Sequence, residues 1–317
     1  MAKLLDYNAT VTQRIDLEPT LSVFRLKPDA PFSSEPGAWF VPGQYLTIGM
    51  NRAVVEGADD PRPVSVRRPM SIASAPEDEG DVEFYIRKVG TPESDLPLTH
   101  LMWPIQVGDR MYCRPNPAGK FTVEDTCGAE DARLKVTLAA GTGLAPFVSM
   151  VRSRIAKDAS ADLSDFAVLH GASYPTGLGY REELAGLAGS NGLKYLPTIS
   201  RPQQVEGWTG FEGRAEALFG EANMPKTEVA LGLGEGGLLP TNAVVLICGL
   251  QGTIANALLA LIPRGFVPDN RRLRRVLEVP EDAKASVFWE QYDSTPVLDV
   301  KDEALMERLR TQLHAAL

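Results

Sequence analysis

Two domains of different class are expected along this chain: an N-terminal antiparallel β-barrel over residues 1–128 and a C-terminal α/β domain with a parallel sheet over residues 133–293. Three observations predict them. Up to about Glu124 the apolar residues fall in short runs broken by Pro and Gly, the texture of strands with no long helix between them. Beyond Ala132, strand-type runs alternate with segments of helical spacing, which argues for a parallel sheet carrying helices on both faces. Between these halves lies an acidic stretch, Asp125–Ala132, with Gly128 inside it. A length of 317 residues gives each half room for its own core.

Strands are expected at Val11–Ile15, Leu21–Leu26, Tyr45–Ile48, Met70–Ala73, Val82–Ile86 and Arg110–Cys113. Six such strands without an intervening long helix close most simply as an antiparallel barrel. Val41-Pro42-Gly43-Gln44 reads as a turn feeding the third strand, and the polar, Pro-containing Asn51–Val66 as a long surface loop. After the linker the expected order is strand Leu134–Ala139, helix Ala145–Ala156, strand Phe166–His170 and helix Tyr180–Leu187. Strand Tyr195–Ile199, a short helix Arg214–Phe219, strand Ala243–Cys248 and helix Ile254–Leu261 follow. Residues 294–317 form a C-terminal extension, in which Leu305, Leu309 and Leu313 recur at the spacing of an amphipathic helix docked on the second domain.

Bulk properties remove several function classes. Hydrophobic residues make up 44% and charged residues 23%, with no apolar run long enough to span a bilayer. Met1–Tyr7 lacks the apolar core of a secretory leader, and Cys113, Cys127 and Cys248 cannot build a disulfide framework or a four-thiolate cluster, so a reducing cytoplasm is expected. A net charge of −9 argues against generic nucleic-acid binding. His100, His170 and His314 lack the spacing of metal ligands, so no metal site is expected, and His170 at a strand end reads as a structural residue. No nucleophile elbow, H-E-x-x-H or Walker A pattern occurs.

The stretch Ala139-Ala140-Gly141-Thr142-Gly143-Leu144-Ala145-Pro146 joins an alternating strand to a helical segment. Strand, glycine turn and helix is the geometry that sets a phosphate on unpaired backbone N–H groups at the positive end of a helix. Pro146 fits the first helical turn, where its missing N–H costs nothing. It also stands where the dinucleotide fingerprint has its third glycine, so the turn is not that fingerprint. Gly141, His170, Ser200 and Cys248 all fall at strand C-termini, where ligands gather on open parallel sheets. In the first half, Arg68-Pro69-Met70-Ser71 combines a guanidinium fork suited to phosphate with a strand hydroxyl. Ile72-Ala73-Ser74, Phe84-Tyr85-Ile86-Arg87, Leu98-Thr99 and Gly119-Lys120-Phe121-Thr122 follow it in order.

At these residues the chain resembles the ferredoxin–NADP reductase family over about residues 8 to 293. The series continues through His170-Gly171-Ala172-Ser173, Tyr180–Leu184, Thr198–Arg201, Gly207–Gly210, Gly213-Arg214, Cys248-Gly249 and Phe288–Tyr292. The resemblance implies an FAD-binding barrel joined to an NADP-binding α/β domain, with hydride passing between NADPH and FAD and single electrons going on to a ferredoxin or flavodoxin. It implies FAD contacts at Arg68, Pro69, Met70, Ser71, Tyr85, Ile86, Arg87, Leu98, Thr99, Gly119, Lys120, Phe121, Thr122 and Tyr292. Gly141, Thr142, Gly143, Leu144, Ala145, Pro146, Ser173, Ser200, Arg201, Arg214, Cys248 and Gly249 are the implied NADP contacts.

Ser71, Cys248 and Glu290 are the implied catalytic residues: Ser71 bonds the flavin near its reactive nitrogen, Cys248 packs partly buried beside the nicotinamide, and Glu290 relays a proton. Met70 departs from the family tyrosine that stacks on the flavin, and Ser173 departs from a third basic residue at the 2′-phosphate. Arg271, Arg272, Arg274 and Arg275 form a basic knot suited to an acidic partner. No nucleic acid or membrane is expected as a partner, and a monomer is the favoured state. Two other readings stand beside this one. They are the reductase component of an oxygenase or cytochrome P450 redox chain, with NADH as its possible donor, and a flavin- or nucleotide-binding regulatory subunit.

Overall fold

The computed structural model describes residues 4–30, 39–52, 63–78, 80–92 and 97–317. In chain order the first elements are strands β1 (Ala9–Glu18), β2 (Leu21–Pro28), β3 (Tyr45–Arg52), β4 (Val64–Ser71) and β5 (Val82–Arg87). Helix α1 (Leu98–Met102), strand β6 (Arg110–Cys113), helix α2 (Val123–Thr126), strand β7 (Leu134–Ala140) and helix α3 (Ala145–Lys157) come next. Strand β8 (Phe166–Ala172), helix α4 (Arg181–Ser190), strands β9 (Lys194–Ile199) and β10 (Phe211–Glu212) and helix α5 (Met224–Ala230) follow. The chain ends with β11 (Ala243–Gly249), α6 (Gln251–Leu261), α7 (Arg271–Val276), β12 (Val287–Gln291) and α8 (Glu303–Ala316).

Met1–Thr122 and Ala145–Ala159 form one compact unit. Its sheet runs β4-β3-β6-β1-β2-β5, antiparallel throughout. The two edges meet just beyond β4, where Ile72 bridges Phe84 and the Ala73 amide donates to the Glu83 carbonyl at 2.8 Å. This contact covers the end of the edge while most of β4 stays an edge strand. Phe24, Leu26, Leu46, Ile48, Phe84 and Met111 fill the interior, capped by Leu98 and Met102 of α1. The six expected strands are all present, but β4 begins at Val64, six residues before its expected start, and β3 runs on to Arg52 opposite it. Arg67, Arg68 and Pro69 hide β4 in the sequence; all three are exposed, and an edge strand is where a sheet tolerates proline. The centre of the expected surface loop, residues 53–62, lies outside the described residues.

Helix α3 packs with the barrel. Ser149 Oγ donates to the Ser74 carbonyl at 2.7 Å, Arg152 to the Ala73 carbonyl at 3.2 Å and to Glu83 at 2.6 Å, and Ser153 to Glu77 at 2.9 Å. The Glu83 carboxylate also accepts from Arg25 at 2.7 Å, so two guanidinium groups satisfy one buried anion.

Val123–Leu144 and Ser160–Leu317 form the second unit. Its sheet runs β10-β9-β8-β7-β11-β12, every pair parallel. Strands β7, β8 and β11 are buried almost end to end, as strands covered on both faces must be. The chain steps from β7 to β8, β9 and β10 on one side, then crosses to β11 and β12 on the other. The order therefore reverses between β7 and β11. Sequence patterning misses α5, α7, the two-residue β10 and the strand character of Val287–Gln291, and the short helix expected at Arg214–Phe219 is a 3-10 turn over Ala215–Phe219. In the extension, Asp302 caps α8 by accepting from the Leu305 amide at 3.0 Å. Met306, Leu309 and Leu313 join Val297 and Leu298 in the core of this unit.

Candidate functional site

In the second unit the reversal point is also where the glycine turn lies. Cys248 at the end of β11 pairs in register with Ala139 at the end of β7. Gly141–Leu144 form one 3-10 turn directly before α3. A Cβ added at Gly143 would lie 2.1 Å from the Cys248 carbonyl oxygen, so only glycine lets this turn press against β11. Gly141 is the converse case. Its φ of +56° is a left-handed conformation, and a Cβ there would meet nothing within 4 Å, which leaves room above the turn for a phosphate.

Cys248 is fully buried, not partly buried as the sequence reading has it, because β11 is a central strand enclosed along its whole length. Burial, reinforced by Glu290 and opposed by hydrogen bonding with Tyr292, holds its thiol well above the ordinary cysteine range. A neutral thiol packs; it does not attack. Glu290 lies opposite Cys248 on β12, half-buried. Tyr292, grouped with the flavin residues in the sequence reading, is 43% exposed in this second unit, and its hydroxyl donates to the Thr142 carbonyl at 3.4 Å. The Tyr292 amide donates to the Gly249 carbonyl at 3.1 Å. Asp293 accepts from the Gln251 amide at 2.8 Å, anchoring the chain after Tyr292 at the start of α6.

Ser173, Ser200, Arg201 and Arg214 are all exposed and leave adjacent strand ends. The Ser200 amide donates to the Ala172 carbonyl at 3.0 Å and the Gly213 amide to the Ile199 carbonyl at 2.9 Å, which ties β8, β9 and β10 together there. Arg201 Nη1 donates to Tyr174 Oη at 2.9 Å and its guanidinium lies 5.3 Å from the Tyr174 ring centre. Trp208 is held by its own indole N–H on the Phe211 carbonyl at 2.9 Å, with Arg181 5.2 Å from its ring centre. Tyr174 and Gln204 escaped the sequence reading, since no spacing rule links them to Arg201. His170 is a buried residue beside this region, with Nδ1 3.2 Å from the Tyr195 hydroxyl and Nε2 unpartnered. Burial pushes its imidazole down to about 3, so it stays neutral.

In the first unit, Gln44 gathers several candidate segments. Its carbonyl accepts from the Ile72 amide at 3.1 Å, directly after Ser71, and its side chain donates to the Gly119 carbonyl at 3.2 Å. A Cβ at Gly119 would lie 3.0 Å from the Tyr45 ring. Arg68 is exposed, with Nη1 donating to the Arg67 carbonyl at 2.8 Å, and Met70 is half-buried. Ser71, Tyr85, Ile86, Leu98, Thr99, Phe121 and Thr122 are buried, and Lys120 is exposed. Thr99 Oγ1 accepts from the Val89 amide at 3.2 Å. Arg87 is engaged elsewhere: its guanidinium donates to Glu18 at 3.0 Å and Thr20 at 3.3 Å. An exposed guanidinium, hydroxyls and a half-buried thioether are groups whose chemistry suits an anionic dinucleotide with a flat, polar-edged ring. Ala145 and Pro146 lie at the start of α3 in this unit, both buried. No cluster of His, Cys, Asp or Glu able to hold a metal occurs among the described residues. No helix among them is long and apolar enough to cross a membrane.

The comparisons agree with this geometry. A family model described as "Oxidoreductase NAD-binding domain" matches residues 137–257. The chain is 30% identical over 211 residues to a flavodoxin/ferredoxin–NADP reductase of Rhodobacter capsulatus, covering 64% of this chain and 69% of that one. It is 30% identical over 209 residues to the phenol hydroxylase P5 protein of Acinetobacter pittii, covering 66% of this chain and 51% of that protein. It thus spans about half the length of that second relative. A solved ferredoxin NADP+ reductase from Neisseria gonorrhoeae, with bound FAD and NADP, superposes with a TM-score of 0.66 at 20% identity over 92% of this chain and 99% of that one. An antiparallel barrel followed by a parallel sheet with a glycine turn at its reversal point defines a two-domain oxidoreductase class. Within that class, the chain belongs to the ferredoxin–NADP reductase family.

Proposed function

We propose that this chain is an NADPH-dependent reductase that delivers electrons to a ferredoxin or flavodoxin. When bound, FAD supplies the chemistry, accepting a hydride and releasing its electrons singly, while the protein supplies orientation and electrostatics. The turn at the β7/β11 reversal carries this reading most directly, because Gly143 has room for no side chain while Gly141 faces open space. In the proposal, Gly141–Leu144 cradle the coenzyme pyrophosphate and Ser200, Arg201 and Arg214 meet its 2′-phosphate. Cys248 packs against the nicotinamide and Glu290 relays a proton to the active site. Arg68 holds the FAD phosphates, Ser71 bonds the flavin edge, and Met70 covers the ring through sulfur–aromatic contact. Neither Arg201 nor Arg214 pairs with a carboxylate among the described residues, which favours a phosphate over surface ion pairing. The test is catalytic efficiency with NADPH and with NADH, using a dye acceptor and then purified ferredoxin and flavodoxin. NADPH is expected to win by at least tenfold, on the scale of one charged hydrogen bond; equal efficiencies would defeat the assignment.

A second reading is favoured by one observation, the similarity to the phenol hydroxylase P5 protein. It makes the chain the reductase component of an oxygenase system. Turnover with an oxygenase partner but with no ferredoxin or flavodoxin would select it. A regulatory subunit would bind FAD and show no dye reduction at all.

A further inference from the structure

We infer that Tyr174 is a positioning residue that orients Arg201 and so governs coenzyme preference; the inference rests on the proposed contact of Arg201 with the 2′-phosphate. An arginine on an exposed turn samples many rotamers, and that freedom must be lost before its fork can grip an anion. Arg201 opens the turn Pro202–Gln204 and is exposed. Its guanidinium is nevertheless held, by the Nη1 hydrogen bond to Tyr174 Oη at 2.9 Å and by the ring 5.3 Å away. The hydroxyl has a fixed role in this arrangement. Tyr174 Oη donates its proton to Gln204 Oε1 at 2.7 Å, so its lone pairs are the part left to accept from Arg201. The chain Arg201–Tyr174–Gln204 therefore runs in one direction and leaves the remaining guanidinium N–H groups for a ligand.

The neighbours explain why such orientation matters. Ser173, directly before Tyr174, brings no charge, so Arg201 and Arg214 are the cations leaving these strand ends. With two arginines instead of three, discrimination depends on each being held in position.

The experiment is calorimetric binding of 2′,5′-ADP and of 5′-AMP to the full chain, for wild type and for Tyr174→Phe, Tyr174→Ala and Arg201→Ala. Tyr174→Phe is expected to weaken 2′,5′-ADP about threefold to tenfold, the span of one modest hydrogen bond, and to leave 5′-AMP within about twofold. Tyr174→Ala, which also removes the stacking face, is expected to weaken 2′,5′-ADP further. In turnover, KM for NADPH rises and kcat holds. If both Tyr174 variants bind 2′,5′-ADP as wild type does while Arg201→Ala loses it, Tyr174 has no positioning role and the phosphate assignment survives. Equal weakening of both ligands in Tyr174→Phe would likewise overturn positioning, marking Tyr174 as merely structural. If Arg201→Ala leaves the ratio of the two affinities unchanged, the phosphate assignment itself falls.

Discussion

Gly143 shows how much a single missing atom decides. A methyl there would overlap the Cys248 carbonyl, so Gly143→Ala must push the turn off β11. Overpacking of this kind costs about 1–3 kcal/mol, and a displaced turn is expected to raise KM for NADPH; thermal unfolding and steady-state kinetics check both. His170 makes a different demand. The folded protein holds it neutral, with a pKa near 3 against an ordinary 6.5, so only the unfolded chain takes up its proton in that interval. Stability is therefore lost as the pH falls below 6.5, at up to about 1.4 kcal/mol per pH unit. Urea unfolding of wild type and His170→Gln from pH 7 to 4.5 should show the gap between them narrowing on acidification; parallel curves would contradict this. At Met70 the proposed flavin contact is a thioether where the family has tyrosine. Met70→Tyr is expected to shift the flavin potential and tighten FAD binding, and spectra matching wild type in both would refute that contact.

Two elements matter beyond their own residues. Helix α3 follows the glycine turn Gly141–Leu144 in sequence, yet its side chains grip the barrel through Glu83, Ser74 and Glu77. Removing the shared carboxylate in Glu83→Ala takes a buried acceptor from both Arg152 and Arg25, at an expected cost of about 3 kcal/mol, read from denaturant unfolding. Helix α8 buries Leu309 in the core of the second unit, and Leu309→Ala is expected to cost about 2–5 kcal/mol. The sequence made some of this plain and not the rest, for physical reasons. The barrel strands declare themselves as short apolar runs broken by Pro and Gly, β7 by the alternation of Leu134, Val136 and Leu138, and β11 as the nearly unbroken apolar run that a strand buried on both faces requires. The turn Gly141–Leu144 is legible because backbone conformation dictates its glycines. The attachment of α3 to the barrel is not, since Glu83 and Arg152 lie 69 residues apart and only folding brings them together. The same holds for Tyr174 and Arg201, whose relation depends on side-chain direction between two separate loops.

At the scale of the whole molecule, charge and redox chemistry meet. The chain carries a net charge of −9, yet Arg271, Arg272 and Arg275 are exposed together on α7. An acidic electron-transfer partner would be steered to such a patch, an attraction that salt screens. Reversing charge at Arg272 and Arg275 is expected to lower turnover with acidic ferredoxin or flavodoxin and flatten its salt dependence, with dye reduction unchanged. Intact turnover with the same salt slope would eliminate the patch. The central claim is that a flavin held by the first unit is reduced by a nicotinamide held by the second. It is tested most directly by supplying purified protein with FAD, removing oxygen and titrating with NADPH while following the visible spectrum. The expected result is a yellow protein whose flavin absorbance bleaches in step with added NADPH. A chain that takes up no flavin, or a yellow one that NADPH leaves unchanged, would contradict the claim.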